Sequence, residues 1–147
     1  MKKTDQNIVV EASYDTSISQ VWSALTEPHQ MRKWFFENIK DFKAKEDFET
    51  SFVVTNEGRV FPHLWKVTEV LPQKRLTLNW KYGNYAGDSE VIFELIQHNE
   101  IVKLKLTHHV LESFPENVPE FSRSNCEAGW KYFIQQNLKQ YLEKQSN

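Results

Sequence analysis

Five histidines, one cysteine and a glutamate near the end of an alternating run are the side chains here that could do acid–base, nucleophilic or metal chemistry. His29 and His98 fall in polar turn sequence. His108 and His109 are neighbours in an alternating run, so in a strand they point to opposite faces and cannot share one ion. The register puts His108 inward with Val102, Leu104 and Leu106, and His63 inward with Trp65 and Val67. Two inward imidazoles with no inward carboxylate or cysteine nearby make a poor metal site. Each reads as a buried ring bonded to Tyr82 or to a backbone carbonyl, or, for His108, as a group that orients a polar ligand atom in an apolar pocket. Cys126 lies four residues before Trp130, and an apolar seat there raises a thiol pKa, so it reads as a small buried hydrophobe. Glu69 is a general base if it points inward and an ordinary solvated carboxylate if it does not. There is no nucleophile–base pair, Gly-rich phosphate loop or metal-ligand spacing. The residues do not read as an enzyme, and no metal or cofactor is expected.

These side chains must be positioned by two kinds of element. Counting from Trp130, Phe133, Ile134, Leu138, Tyr141 and Leu142 recur at three- and four-residue steps, with Lys131, Gln135, Gln136, Lys139, Gln140 and Glu143 on the other face. That pattern predicts one amphipathic helix over Phe121 to Leu142, about 22 residues and roughly 33 Å long. Gly129 inside it costs about 1 kcal/mol against alanine, which predicts close approach of a strand or of Trp34 to the helix backbone, or else a hinge.

Before the helix the period is two. Ile8 to Tyr14 reads as a strand. Asp15, Thr16 and Ser17 are candidate caps for a short helix carrying Ile18, Val21, Trp22 and Leu25, and Pro28 opens a second short element ending at Trp34. Alternation then predicts strands over Phe48 to Val54, Val60 to Val70, Leu76 to Tyr82, Val91 to Leu95 and Val102 to His108, joined by turns at 56–59, 71–74, 83–87 and 97–100. Pro115 and Pro119 mark an irregular passage into the long helix. The order implies an α+β protein, an antiparallel sheet of about six or seven strands gripping a terminal helix.

Composition bounds the function. The chain has 147 residues, a size that suits one domain spanning 1–147. Its net charge is −2, and the eighteen basic residues form no block, which argues against nucleic acid as a partner. The apolar run Ile8-Val9-Val10 is too short for a leader or a membrane span, so a cytoplasmic protein is expected. One cysteine excludes an internal disulfide. Aromatic residues make up 14% of the chain, more than one helix stripe uses, so either much of the core is aromatic or some of the rings wall a pocket.

Val21-Trp22-Ser23-Ala24-Leu25-Thr26-Glu27-Pro28 with Trp34, Val67 through Leu78-Asn79-Trp80, and Glu127-Ala128-Gly129-Trp130 with Leu138 and Leu142 give the chain its likeness to a known group. It resembles the helix-grip, START-like superfamily, and within it the activator of heat-shock-90 ATPase homologues. The resemblance implies a sheet wrapped around the C-terminal helix and a cavity between them that in relatives holds lipids, polyketides or aromatic molecules. On this chain the expected wall is Trp34, Phe52, His63, Trp65, Leu78, Trp80, Tyr82, Phe93, Leu106 and His108 from the sheet side. Cys126, Trp130 and Phe133 complete it from the helix. The resemblance also admits a chaperone partner, for which Phe35, Phe36 and the passage from Leu111 to Pro119 are the candidate apolar surface. As a second alternative it admits an enzyme acting on a bound hydrophobic substrate through His108 or Glu69.

Overall fold

The computed structural model describes residues 1–145. Six strands form one antiparallel sheet: β1 (Ile8–Tyr14), β2 (Glu49–Asn56), β3 (Arg59–Leu71), β4 (Arg75–Tyr82), β5 (Asp88–His98) and β6 (Ile101–Glu112). Their order is β1-β6-β5-β4-β3-β2, so the last five form a meander and β1 closes against β6. Each hairpin follows from its turn chemistry. Glu57 and Gly58 both have positive φ, 52° and 78°, the two-residue turn whose twist matches a β-hairpin.

Between β1 and β2 run α1 (Ile18–Thr26) and α2 (Pro28–Trp34). Ser17 is the cap: its hydroxyl accepts from the Gln20 amide at 3.2 Å. Pro28 occupies the first turn of α2, where its missing N–H is not needed. The two helices are tied by the Trp34 indole, which donates to the Ala24 carbonyl at 2.8 Å, one of the carbonyls that a helix end leaves unpaired.

The C-terminal rod differs from the expected uniform helix. A 3-10 turn at Pro119–Phe121 precedes α3 (Arg123–Trp130), capped by the Ser122 hydroxyl; a π-helical stretch covers Lys131–Asn137 and α4 covers Leu138–Gln145. The cause lies in the spacing. Trp130, Ile134, Leu138 and Leu142 are the buried line of the rod, at 4%, 0%, 0% and 3% exposure, each four residues after the last. In an α-helix four residues overshoot a full turn by about 40°, so a strict step of four winds away from the sheet. Wider turns cancel that drift and keep the line facing β1 and the sheet. The Tyr14 hydroxyl then donates to the Ile134 carbonyl at 2.6 Å, and burial raises the tyrosine pKa.

Alternation holds along most of the concave face, with register shifts at Val67/Glu69 and at Asp88/Ser89. A bulge between Val67 and Glu69 shifts the register of β3 on β4. Glu69 thereby pairs with Thr77 on the face opposite Leu76 and Leu78. Its carboxylate accepts from the Thr77 hydroxyl at 3.3 Å and lies 3.5 Å from Arg75 Nε. Glu69 is therefore not an inward base, because the bulge moves it outside.

In the loop between β4 and β5 a glycine stands against a buried ring. Gly87 has φ +117°, and a Cβ there would stand 2.3 Å from the buried ring of Phe114. We expect Gly87→Ala to lose roughly 2–4 kcal/mol, from backbone strain plus overpacking. Urea denaturation checks this, and a loss under 1 kcal/mol would mean that the loop relaxes freely.

A small cavity beside two unlike histidines

The space between sheet and rod is mostly filled by the protein's own rings. Phe35 and Phe36, which follow α2, turn inward instead of forming an external patch. Phe35 is 8% exposed and stacks on Trp34 at 4.6 Å with an interplanar angle of 2°. Its ring also meets Phe133 at 4.9 Å, Trp65 at 5.6 Å and Trp130 at 5.8 Å. Phe36, partly buried, meets Phe133 and His63 at 5.0 Å each and Phe52 at 5.2 Å. The physical reason is the aromatic lining: two rings left in water would forgo roughly 25 cal/mol for every Å² they bury here. Phe114, in the other stretch expected to present apolar groups outward, is 3% exposed.

What Phe35 and Phe36 leave open is a cavity of about 170 Å³ bordered by Phe36, Trp80, Tyr82, Trp130 and Phe133, with His63, His108, Cys126, Gly129, Glu120 and Met1. Of the residues expected at its wall, His63, Trp80, Tyr82, His108, Cys126, Trp130 and Phe133 border it. Trp34, Phe52, Trp65, Leu78, Phe93 and Leu106 are placed in the solid core instead, each at most 2% exposed. Phe35 packs against Trp34, Trp65 and Phe93, and Phe36 against Phe52 and Trp65, so these two rings take up the volume that those four would have faced. Met1, Phe36, Glu120 and Gly129 border it outside the expected wall, and of these Met1 and Glu120 have no local signal. Both arrive through long-range contacts, the α-amino group donating to the Phe121 carbonyl at 2.5 Å and Glu120 reaching Arg59.

At one edge, Glu120 accepts from Arg59 Nε at 2.8 and 3.0 Å and from Asn56 Nδ2 at 2.8 Å. These bonds join the β2–β3 turn to the 3-10 turn before α3. The Arg59 hydrogen bond, foremost among several causes, holds the Glu120 carboxyl below its usual range.

His108 sits in a closed network. The Trp130 indole donates to its Nδ1 at 3.0 Å, and its Nε2 lies 2.9 Å from Ser89 Oγ. The Ser89 hydroxyl donates to the Trp80 carbonyl at 2.6 Å, so the serine accepts from an Nε2–H. The Cys126 thiol lies 3.4 Å from the same Nδ1. A cysteine does therefore stand beside an inward histidine, contrary to expectation. The pair is not an activated nucleophile. Burial pushes the thiol up to about 12 and the imidazole down to about 4, and the indole already occupies the nitrogen that would take the proton. Among the described residues no three of His, Cys, Asp and Glu converge as metal ligands.

Gly129 borders the cavity, and a Cβ built on it meets nothing within 4 Å. The close approach expected from the sequence is absent. The Trp80 indole N–H, also at the wall, makes no hydrogen bond of ordinary geometry; burial raises the Tyr82 hydroxyl above its usual range, and the nearby indole offsets only part of that.

A curved antiparallel sheet closed on a C-terminal rod, with two short helices after the first strand, defines a helix-grip, START-like protein. The chain belongs to the family described as activator of Hsp90 ATPase homolog 1-like protein, which matches residues 15–143. It is similar to protein MLL2253 from Mesorhizobium loti, with 25% identity and a TM-score of 0.74, over 95% of this chain and 98% of that one. An HSP90 activator from Plasmodium falciparum has 20% identity and a TM-score of 0.74, over 95% and 97% of the two chains. DynU16, a protein of the dynemicin biosynthetic locus, has 22% identity and a TM-score of 0.74 over 95% of this chain. The present chain spans about half the length of DynU16, 48%. No curated protein matches the chain. No helix among the described residues is long and apolar enough to cross a membrane.

Proposed function

We propose that this chain binds a small, largely apolar, single-ring molecule in the cavity between sheet and rod. The observation that carries the reading is the open volume itself: an interior otherwise filled by stacked rings keeps about 170 Å³ unfilled where His63, His108, Cys126 and Glu120 interrupt the aromatic wall. An engineered apolar cavity of about 150 Å³ takes up benzene, so the size suits one aromatic ring and excludes a lipid or a polyketide. Binding does not call for catalysis, since the only thiol–imidazole pair at the wall is held neutral.

The experiment is a plug. Gly129→Ala should raise stability by about 1 kcal/mol, because the helix gains propensity and the new Cβ meets open space. Gly129→Leu should fold as well as the wild type yet lose at least about tenfold in affinity for toluene or indole by isothermal titration calorimetry, its side chain taking the ligand's place. A stable Gly129→Leu protein that binds those probes unchanged would remove the cavity as the site.

The family's other implication, a chaperone partner, finds support in the family match alone. The apolar surface expected for it is spent inside the grip, where Phe35 and Phe114 are buried.

A further inference from the structure

The two imidazoles at the cavity border are chemically unlike. His108 has both ring nitrogens engaged, by the Trp130 indole and by Ser89. His63 has one. Its Nδ1 lies 3.0 Å from the Phe61 carbonyl, which can only accept, so the proton is on Nδ1 and Nε2 is a bare lone pair. No protein group among the described residues donates to that nitrogen. The residue is 5% exposed, stacked on Phe52 at 4.8 Å and edge-on to Tyr82 at 4.8 Å, so the ring is held in place by its neighbours. The sealed, unpartnered side-chain atoms of the interior are the Trp65 and Trp80 indole nitrogens. His63 Nε2 is not one of them; with His63 at the cavity wall, its free acceptor opens to the cavity.

We propose that His63 Nε2 is the acceptor that selects the occupant of the cavity, which is a single-ring molecule carrying one neutral O–H or N–H donor: a small phenol or an N–H heteroaromatic. This rests on the cavity-binding reading above and adds the polarity of the ligand to its size. A ligand donor on Nε2 gains a hydrogen bond that an all-carbon ring of the same shape cannot make. A carboxylate brings a charge and no donor. The Glu120 carboxylate at the border, which could attract a cation, is already held by Arg59 and Asn56.

The test compares phenol, toluene and benzoate on the wild-type protein and on His63→Phe, by calorimetry and by the imidazole ¹⁵N resonances. Toluene and phenol have nearly the same shape, and toluene is the more apolar. The wild type should nonetheless bind phenol at least as tightly as toluene and should not bind benzoate, and phenol should move the His63 Nε2 resonance upfield. His63→Phe should lower the phenol-to-toluene affinity ratio by on the order of tenfold. Toluene binding with no movement of Nε2 under phenol, or an unchanged ratio in a folded His63→Phe, overturns the donor requirement and leaves the cavity reading standing. If His63→Phe does not fold, the wild-type resonance decides alone. Binding of none of the probes by the wild type overturns both.

Discussion

Between pH 6.5 and pH 4 the protein should lose on the order of 6 kcal/mol of stability, about 3 kcal/mol from each of His63 and His108. Burial lowers both imidazoles from 6.5 to about 4. Such a group is neutral in the fold and takes up its proton first in the unfolded chain. The unfolded state therefore binds more protons across that window, and stability is full above pH 6.5 and falls as the pH drops toward 4. Glu120, whose carboxyl is held low by Arg59, adds its loss only below the ordinary carboxylate range, at the acid end of the same titration. Against a typical total of 5–15 kcal/mol the two histidines are enough to bring the protein near its unfolding midpoint at pH 4. Urea denaturation at pH 7, 6, 5 and 4 measures this. Stability that stays flat from pH 6.5 to 4.5 would mean that the rings are hydrated or charged in the fold. His63→Phe should halve the slope, because only His108 then remains to titrate.

Burial is the main cause of the His108 share as it is of the His63 share, with the α-amino charge of Met1 and His109 pushing the His108 imidazole the same way. Protonating His108 Nδ1 would break the bond from the Trp130 indole and set two donors against each other. Protonating His63 breaks nothing, since Nε2 is vacant, and its cost is the burial of a charge among rings. A ligand donor on Nε2 would block that protonation and carry the stability to lower pH.

How much of this was legible beforehand depends on the range of the interaction. Ser17 as a cap, Pro28 at a first turn and the inward parity of His63 and His108 are local, and alternation or capping chemistry shows them. The six strands and the terminal rod follow from the same periods. The π-helical stretch also had a local signal, the unbroken step of four from Trp130 to Leu142, which reads as an amphipathic helix unless its drift is added up. Glu69 needed the bulge, and nothing in Val67-Thr68-Glu69 announces an extra residue. Phe35 and Phe36 have no period at all. Their burial depends on the path of the chain after α2, and so the volume of the cavity could not be read from the residues. The partners of His108 lie 19 and 22 residues away, on β5 and on the rod, and only the closed fold brings them together.

Trp34→Ala should cost about 3–5 kcal/mol and leave the protein marginal at 25 °C, the largest loss expected from a single substitution here. The ring is 1% exposed and carries two duties that a methyl group cannot. Its face stacks on Phe35 at 4.6 Å, and Phe35 in turn touches rings from the sheet and the rod. The indole donates to the Ala24 carbonyl at the end of α1; the backbone carbonyl of residue 34, which accepts from Asn137 in the π-helical stretch at 3.3 Å, survives the substitution. Trp34→Phe separates the first duty from the second: it keeps a stacking ring and strands one buried carbonyl, a loss of about 1–2 kcal/mol. Because Trp34 does not border the cavity, the folded Trp34→Phe protein should bind toluene and phenol with affinities within a factor of about two of the wild type. Denaturation and calorimetry on the same sample settle both halves. A Trp34→Phe protein that keeps its stability and loses its ligand would return this residue to the binding wall, where the sequence had placed it, and would mean that Phe35 swings aside to admit the ligand.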